Sequence, residues 1–255
     1  MEFSKKEDGK NFYSQLPRKA YASQDGLCCV DTLHRVTITG LEKNTTYFYR
    51  VLSQEVKELL PYRPVLGNIV STDIWEKPLT FTTLDGRQET LSIVMINDIH
   101  GKNDLQKKLL EMAPPQNVDM VVFCGDMCNY INKQSDIFTG FLDTSVGLFA
   151  SRKPFVYVRG NHETRGAYAR NFFRYLAGPE GKFYYAFTYG PIRFIVLDSG
   201  EDKPDTDVEY SGLVDFDNYI LEQKEWLARE LESPEFRAAS FRVVLSHIPF
   251  GKGSW

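Results

Sequence analysis

Leu91-Ser-Ile-Val-Met-Ile-Asn97-Asp98-Ile99-His100-Gly101 is the stretch on which the reading of this chain turns. Its first half is a nearly continuous apolar run, and its second half turns abruptly polar. A run without alternation suits a strand covered on both faces. The same pattern recurs downstream. Residues 118–123 lead into Gly125-Asp126, residues 155–158 into Gly160-Asn161-His162-Glu163, and residues 241–245 into Ser246-His247; residues 192–197 form a fifth apolar run. Helical spacing lies between them. Leu105, Leu109 and Met112 follow Asn103 as a cap, and Ile220, Leu227 and Leu231 mark a longer helix. Strands alternating with helices predict a layered α/β domain over residues 88–255.

Residues 1–87 read differently. His34, Val36 and Ile38 alternate, as do Tyr47, Tyr49 and Val51, and residues 78–83 add a third short strand. Alternation of this kind marks half-buried antiparallel strands. Residues 41–45 read as a turn, and residues 84–89 as a linker. Three strands are few for a sandwich, which usually has about seven, so this domain is predicted to be small and incomplete. His34 reads as a structural strand residue. Phe183-Tyr-Tyr-Ala-Phe187 reads as a packed hairpin.

Composition narrows the function. Hydrophobic residues at 42% supply a real core, and a formal charge of −4 with no basic run argues against nucleic acid as a partner. No stretch approaches the roughly 20 apolar residues of a membrane span. The polar start, Met1 to Lys10, has no apolar core of a signal peptide, so the chain as written is expected in the cytoplasm. Cys28, Cys29, Cys124 and Cys128 do not make a disulfide scaffold and lack C-x-x-C spacing; they read as idle or buried thiols.

The strand ends carry the chemistry. In layered α/β sheets, ligands bind beyond the carboxyl ends of strands. Four loops here deliver Asp98, His100, Asp126, Asn161, His162 and His247 to one edge. Two divalent metals about 3.5–4 Å apart clamp a phosphate and generate hydroxide from bound water. A carboxylate bridges such ions, and imidazoles and amide oxygens complete their shells. Asp-x-His or Gly-Asp alone is a common turn. All four motifs in order, each closing an apolar strand, are far more specific.

These motifs resemble the calcineurin-like metallophosphoesterase superfamily, whose order is D-x-H, G-D, G-N-H-[ED], a lone H and then G-H-x-H. The resemblance covers residues 91–255. It implies an α-β-β-α layered domain that hydrolyses a small phosphoester with metal-activated water at a dinuclear site. It further implies that Asp98 and His100 hold the first metal, that Asp126 bridges, and that Asn161 and His247 hold the second. His162 would lie outside the metal shells and act on the phosphate or the leaving oxygen. Arg165, three residues on, would meet a phosphate oxygen. Mn, Fe and Zn suit this oxygen and imidazole donor set alike.

Residues 34–83 resemble the fibronectin-like domain that precedes the catalytic domain in purple acid phosphatases and related bacterial phosphoesterases. Those enzymes use D-x-G in the first motif and a tyrosine in G-D-x-x-Y. Here His100 fills the first motif and Tyr130 follows Asp126 by one residue too many, so the D-x-H relatives fit better. The four histidines are His34, His100, His162 and His247, and no G-H-x-H follows. Each ion would keep three protein ligands. This leaves two expectations: an active phosphoesterase, or a truncated, catalytically impaired chain or binding module. Related two-domain proteins are usually exported, so a leader upstream would move the expected compartment outside the cytoplasm.

Overall fold

The computed structural model describes residues 1–5, 12, 16–85 and 89–250. The chain divides into two units, Met1–Gly86 and Arg87–Trp255. Part of the expected linker, residues 86–88, lies outside the described residues.

Among its described residues, the regular elements of the first unit are all β-strands. Strands β1 (Glu2–Lys5), β2 (Arg18–Lys19), β5 (Thr46–Arg50) and β8 (Leu79–Thr82) form an antiparallel sheet in the order β2-β1-β5-β8. Strands β3 (Ser23–Gln24) and β4 (Leu27–Cys28) pair with each other, as do β6 (Leu52–Glu58) and β7 (Val65–Ser71). Tyr47 is buried and stacks on Phe81 across the β5–β8 pair. The strand expected over residues 34–40 does not form. Arg18, distant in sequence, donates to the carbonyls of Thr39 and Gly40, and the His34 ring bonds the Asp31 carbonyl. Backbone groups that would enter a ladder are engaged by side chains instead.

The described residues of the second unit form two sheets. Strands β9 (Ile93–Ile96), β10 (Met120–Cys124) and β11 (Phe155–Val158) are parallel in the order β11-β10-β9. Strands β12 (Tyr185–Tyr189) and β13 (Ile192–Val196) form a hairpin, and β14 (Phe241–Leu245) runs parallel to β13. Strand β10 shows how the layers arise. Val121 and Phe123 face a cluster with Leu110, Ile137 and Phe141 from the helical segments, whereas Met120, Val122 and Cys124 face Phe194, Val196 and Leu245 of the second sheet. Alternate side chains of one strand therefore fill two cores. The helix Phe216–Leu231 meets the second sheet through Arg193–Glu230, and Gln223 bonds both the amide and the carbonyl of Asp198. The result is an α-β-β-α stack.

Two sequence expectations need correction. Strands β9 and β14 are edges of their described sheets, and Met95 (54% exposed) and Val244 (57% exposed) are not covered on both faces. The helix Asn103–Met112 buries Gln106 and Leu110, while Leu105 is partly open and Met112 is 82% exposed. Asn103 is the first helical residue rather than its cap; its side chain spans to Thr139 and Thr144. A buried polar tie from Gln106 to Ser145 fixes the helix phase that hydrophobicity alone misplaces.

Candidate metal centre

Parallel pairing of β9, β10 and β11 brings their carboxyl ends to one edge, so the loops after them are neighbours. The β9 and β10 loops are laced together by backbone. Asp98 N donates to Gly125 O (3.1 Å), His100 N to Asp126 O (2.8 Å) and Gly101 N to Met127 O (2.8 Å). Asp98, His100 and Asp126 all have positive φ, at 56°, 50° and 55°. Non-glycine residues enter this region at a cost, and such residues cluster at functional sites.

The third loop is clamped by a residue without an assigned role in the sequence reading. Glu163 is fully buried, and its carboxylate accepts from Asp126 N (2.9 Å), Cys128 N (2.8 Å) and Gly160 N (2.9 Å). It thereby locks the loop after β11 to the loop after β10. Burial pushes its pKa up, against the three N–H donors that hold the charged form. Gly160 permits this approach, because a Cβ there would stand 2.2 Å from Asp126 Oδ1.

The fourth loop arrives from the other sheet. His247 Nδ1 lies 2.7 Å from Cys124 O, which directs Nε2 inward, and the His162 ring is set likewise by Nδ1 to Asn129 O at 2.8 Å. A hydrogen bond from one ring nitrogen to a carbonyl fixes the tautomer and leaves the other nitrogen as a donor to metal. His100 Nδ1 is buried and has no hydrogen-bond partner among the described residues.

The three imidazoles converge on Asp126. Its Oδ2 lies 3.3 Å from His247 Nε2, 3.8 Å from His162 Nε2 and 3.9 Å from His100 Nε2, and Asp98 Oδ1 lies 3.7 Å from His100 Nε2. Ligand atoms that each stand about 2.0–2.2 Å from one ion are separated by about this much. Among the described residues, two triads have their ligand atoms within 4.8 Å of one another: His100–Asp126–His162 and Asp98–Asp126–His247. Asp126 is the shared member. Burial works against its charge, but bonds from His247 and the His162 amide hold its pKa below the usual carboxylate range. Burial likewise opposes charge on His247, and the Asp126 carboxylate and Cys124 carbonyl outweigh it, raising the imidazole to about 9. Carboxylate and imidazole donors in this density fit divalent metal.

The remaining expected residues are placed as follows. Asn161 is buried at the start of the short helix Asn161–Thr164, one residue from His162. His162 stands as near Asp126 as His100 does. Arg165 is engaged by Glu201 and Asp202, with Nη1 3.3 Å from His162 Nε2. Tyr130 is exposed. Cys124 is buried beside β14, and burial lifts its thiol to about 11. No helix among the described residues is long and apolar enough to cross a membrane.

The family model described as calcineurin-like phosphoesterase matches residues 91–255. No curated protein matches the sequence. Among solved structures, the purple acid phosphatase isolated from yellow lupin (Lupinus luteus) seeds is similar, with a TM-score of 0.55 and 17% sequence identity. The likeness covers 83% of this chain and 38% of that one, so this chain spans well under half the length of the lupin protein. Identity at this level is a likeness of fold alone.

Proposed function

Starting from the fact that this chain belongs to the calcineurin-like phosphoesterase family, we propose that it hydrolyses a small phosphoester at a dinuclear metal site. The observation that carries the proposal is the convergence of three imidazole Nε2 atoms on one carboxylate oxygen, within 3.3–3.9 Å of Asp126 Oδ2. Asp98 and His100 would hold one divalent ion and Asn161 and His247 the other, with Asp126 shared between them. Mn, Fe and Zn all suit these donors. When bound, such ions polarise the phosphoryl group and supply hydroxide near neutral pH.

The chain's own residues supply the rest. The buried Asp126 carboxylate is held charged and presents Oδ2 to the site, while Oδ1 accepts the His162 amide at 3.0 Å. His162 has one nitrogen tied to Asn129 O, so Nε2 is the atom that exchanges a proton with the ester's leaving oxygen. Arg165 brings a guanidinium donor beside that nitrogen and meets a phosphate oxygen.

The test is turnover of an aryl phosphate and a bis-aryl phosphate by the purified chain with Mn²⁺, alongside Asp126→Ala. Turnover lost in Asp126→Ala together with bound metal supports the reading. If the wild type hydrolyses neither ester and Asp126→Ala retains as much metal, the reading fails.

A second reading, a catalytically impaired chain or non-catalytic binding module, follows from the donor count. In the assignment proposed above, the residues named would supply three protein donors to each ion, with His34 lying in the first unit. Metal content after dialysis separates the two: close to two ions per chain supports the enzyme, and substoichiometric metal supports the module.

A further inference from the structure

Glu201 is nearly as buried as any charged group among the described residues, with its side chain 1% exposed. It lies in the loop after β13, far in sequence from the metal-site motifs. Its carboxylate grips one edge of the Arg165 guanidinium: Oε1 accepts from Nε at 3.3 Å and Oε2 from Nη2 at 2.9 Å. Asp202 adds a second acceptor for Nη2 at 3.2 Å. Glu201 also accepts the Thr164 hydroxyl and, at 3.2 Å, the Tyr210 hydroxyl. A forked, charge-assisted pair fixes the plane of the guanidinium as well as its position. Because Nε and Nη2 face carboxylates, Nη1 is the nitrogen turned toward His162, 3.3 Å from Nε2.

We propose that Glu201 is a positioning residue for this site: acting through Arg165, it sets a single guanidinium N–H beside His162 Nε2, where an entering phosphoester oxygen meets both groups. Tyr210 and Thr164 hold Glu201 in turn. The proposal rests on the phosphoesterase reading above. It differs from a plain loop-to-loop ion pair in one respect: the effect of Glu201 on turnover must pass through Arg165.

A mutant cycle on the Mn²⁺-loaded full chain tests it, using kcat and KM for an aryl phosphate together with the Kd of inorganic phosphate from calorimetry. Glu201→Gln loses about tenfold in kcat/KM and weakens phosphate binding, as expected when a positioning contact is loosened. Arg165→Ala loses at least as much. The double variant is no worse than Arg165→Ala alone, because the two groups act as one unit. Should Glu201→Gln fail to fold, Tyr210→Phe keeps the carboxylate and removes one of its supports. It is expected to lower kcat/KM a few-fold in the wild-type background and not at all in Arg165→Ala. The proposal is overturned if Glu201→Gln stays within twofold of wild type, or if the losses multiply in the double variant. A wild type that neither turns over ester nor binds phosphate overturns the underlying reading instead, and this inference with it.

Discussion

His247 Nε2 stands 3.3 Å from Asp126 Oδ2, across the seam between the two sheets of the second unit. This pair joins the end of β14 to the end of β10, and it ties the metal site to the folding of both layers. Asp126 holds the charged imidazole, so His247 has a folded pKa of about 9 against 6.5 unperturbed. A cation with a raised folded pKa stabilises fully below 6.5, and that contribution is lost as pH rises through 9. Metal-free protein is therefore expected to lose on the order of 3 kcal/mol between these limits. Urea titrations across this range read the slope, and His247→Ala should flatten it. An unchanged slope in that variant would place the pH dependence elsewhere.

Gly125 is the residue that lets His247 reach Asp126. It has φ +85°, and a Cβ there would lie 2.4 Å from the His247 ring. Gly125→Ala is expected to cost about 2–4 kcal/mol through strain and crowding. It should also weaken metal binding, since the ring must move. Denaturant midpoints and metal titration measure both, and a loss of stability with metal affinity intact would contradict the account.

Glu163→Gln addresses the clamp between two loops. The amide keeps one acceptor but turns a donor toward backbone N–H groups of Asp126, Cys128 or Gly160. The expected cost is about 3 kcal/mol, as for other broken buried charge contacts. Metal affinity should fall about 10–100-fold without the loss of any ligand. Calorimetry with Mn²⁺ or Zn²⁺ checks this.

The shared position of Asp126 sets it apart from Asp98. In the proposed assignment Asp126 serves both ions and Asp98 one, and Asp126 is common to both donor triads found among the described residues. Asp126→Asn is accordingly expected to lose both ions, and Asp98→Asn to keep one. Metal analysis after dialysis counts them; equal stoichiometry in the two variants would argue against a bridge.

Much of the second unit was legible because its signals are local. An apolar run over 120–124 buried on both faces, and a polar motif at each strand end, need no knowledge of distant residues. The helix phase at residues 103–112 was not legible, because the Gln106–Ser145 bond crosses 39 positions. The strand expected at residues 34–40 failed for a similar reason: Arg18, 21 and 22 positions away, takes its carbonyls.

The same division holds at the site. The sequence by itself determined which residue types stand at the strand ends and in what order. That sufficed to mark Asp98, His100, Asp126, Asn161, His162 and His247 as candidates for one site. Tertiary structure alone decided which atoms meet. It put three imidazoles on one oxygen of Asp126, the grip of Glu163 on backbone 35 and 37 positions away, and Arg165 in the hold of Glu201 36 positions on. Periodicity reports the face a residue shows within its own element. Contacts between loops depend on which strands lie side by side and in what register, and that is a property of the assembled sheets.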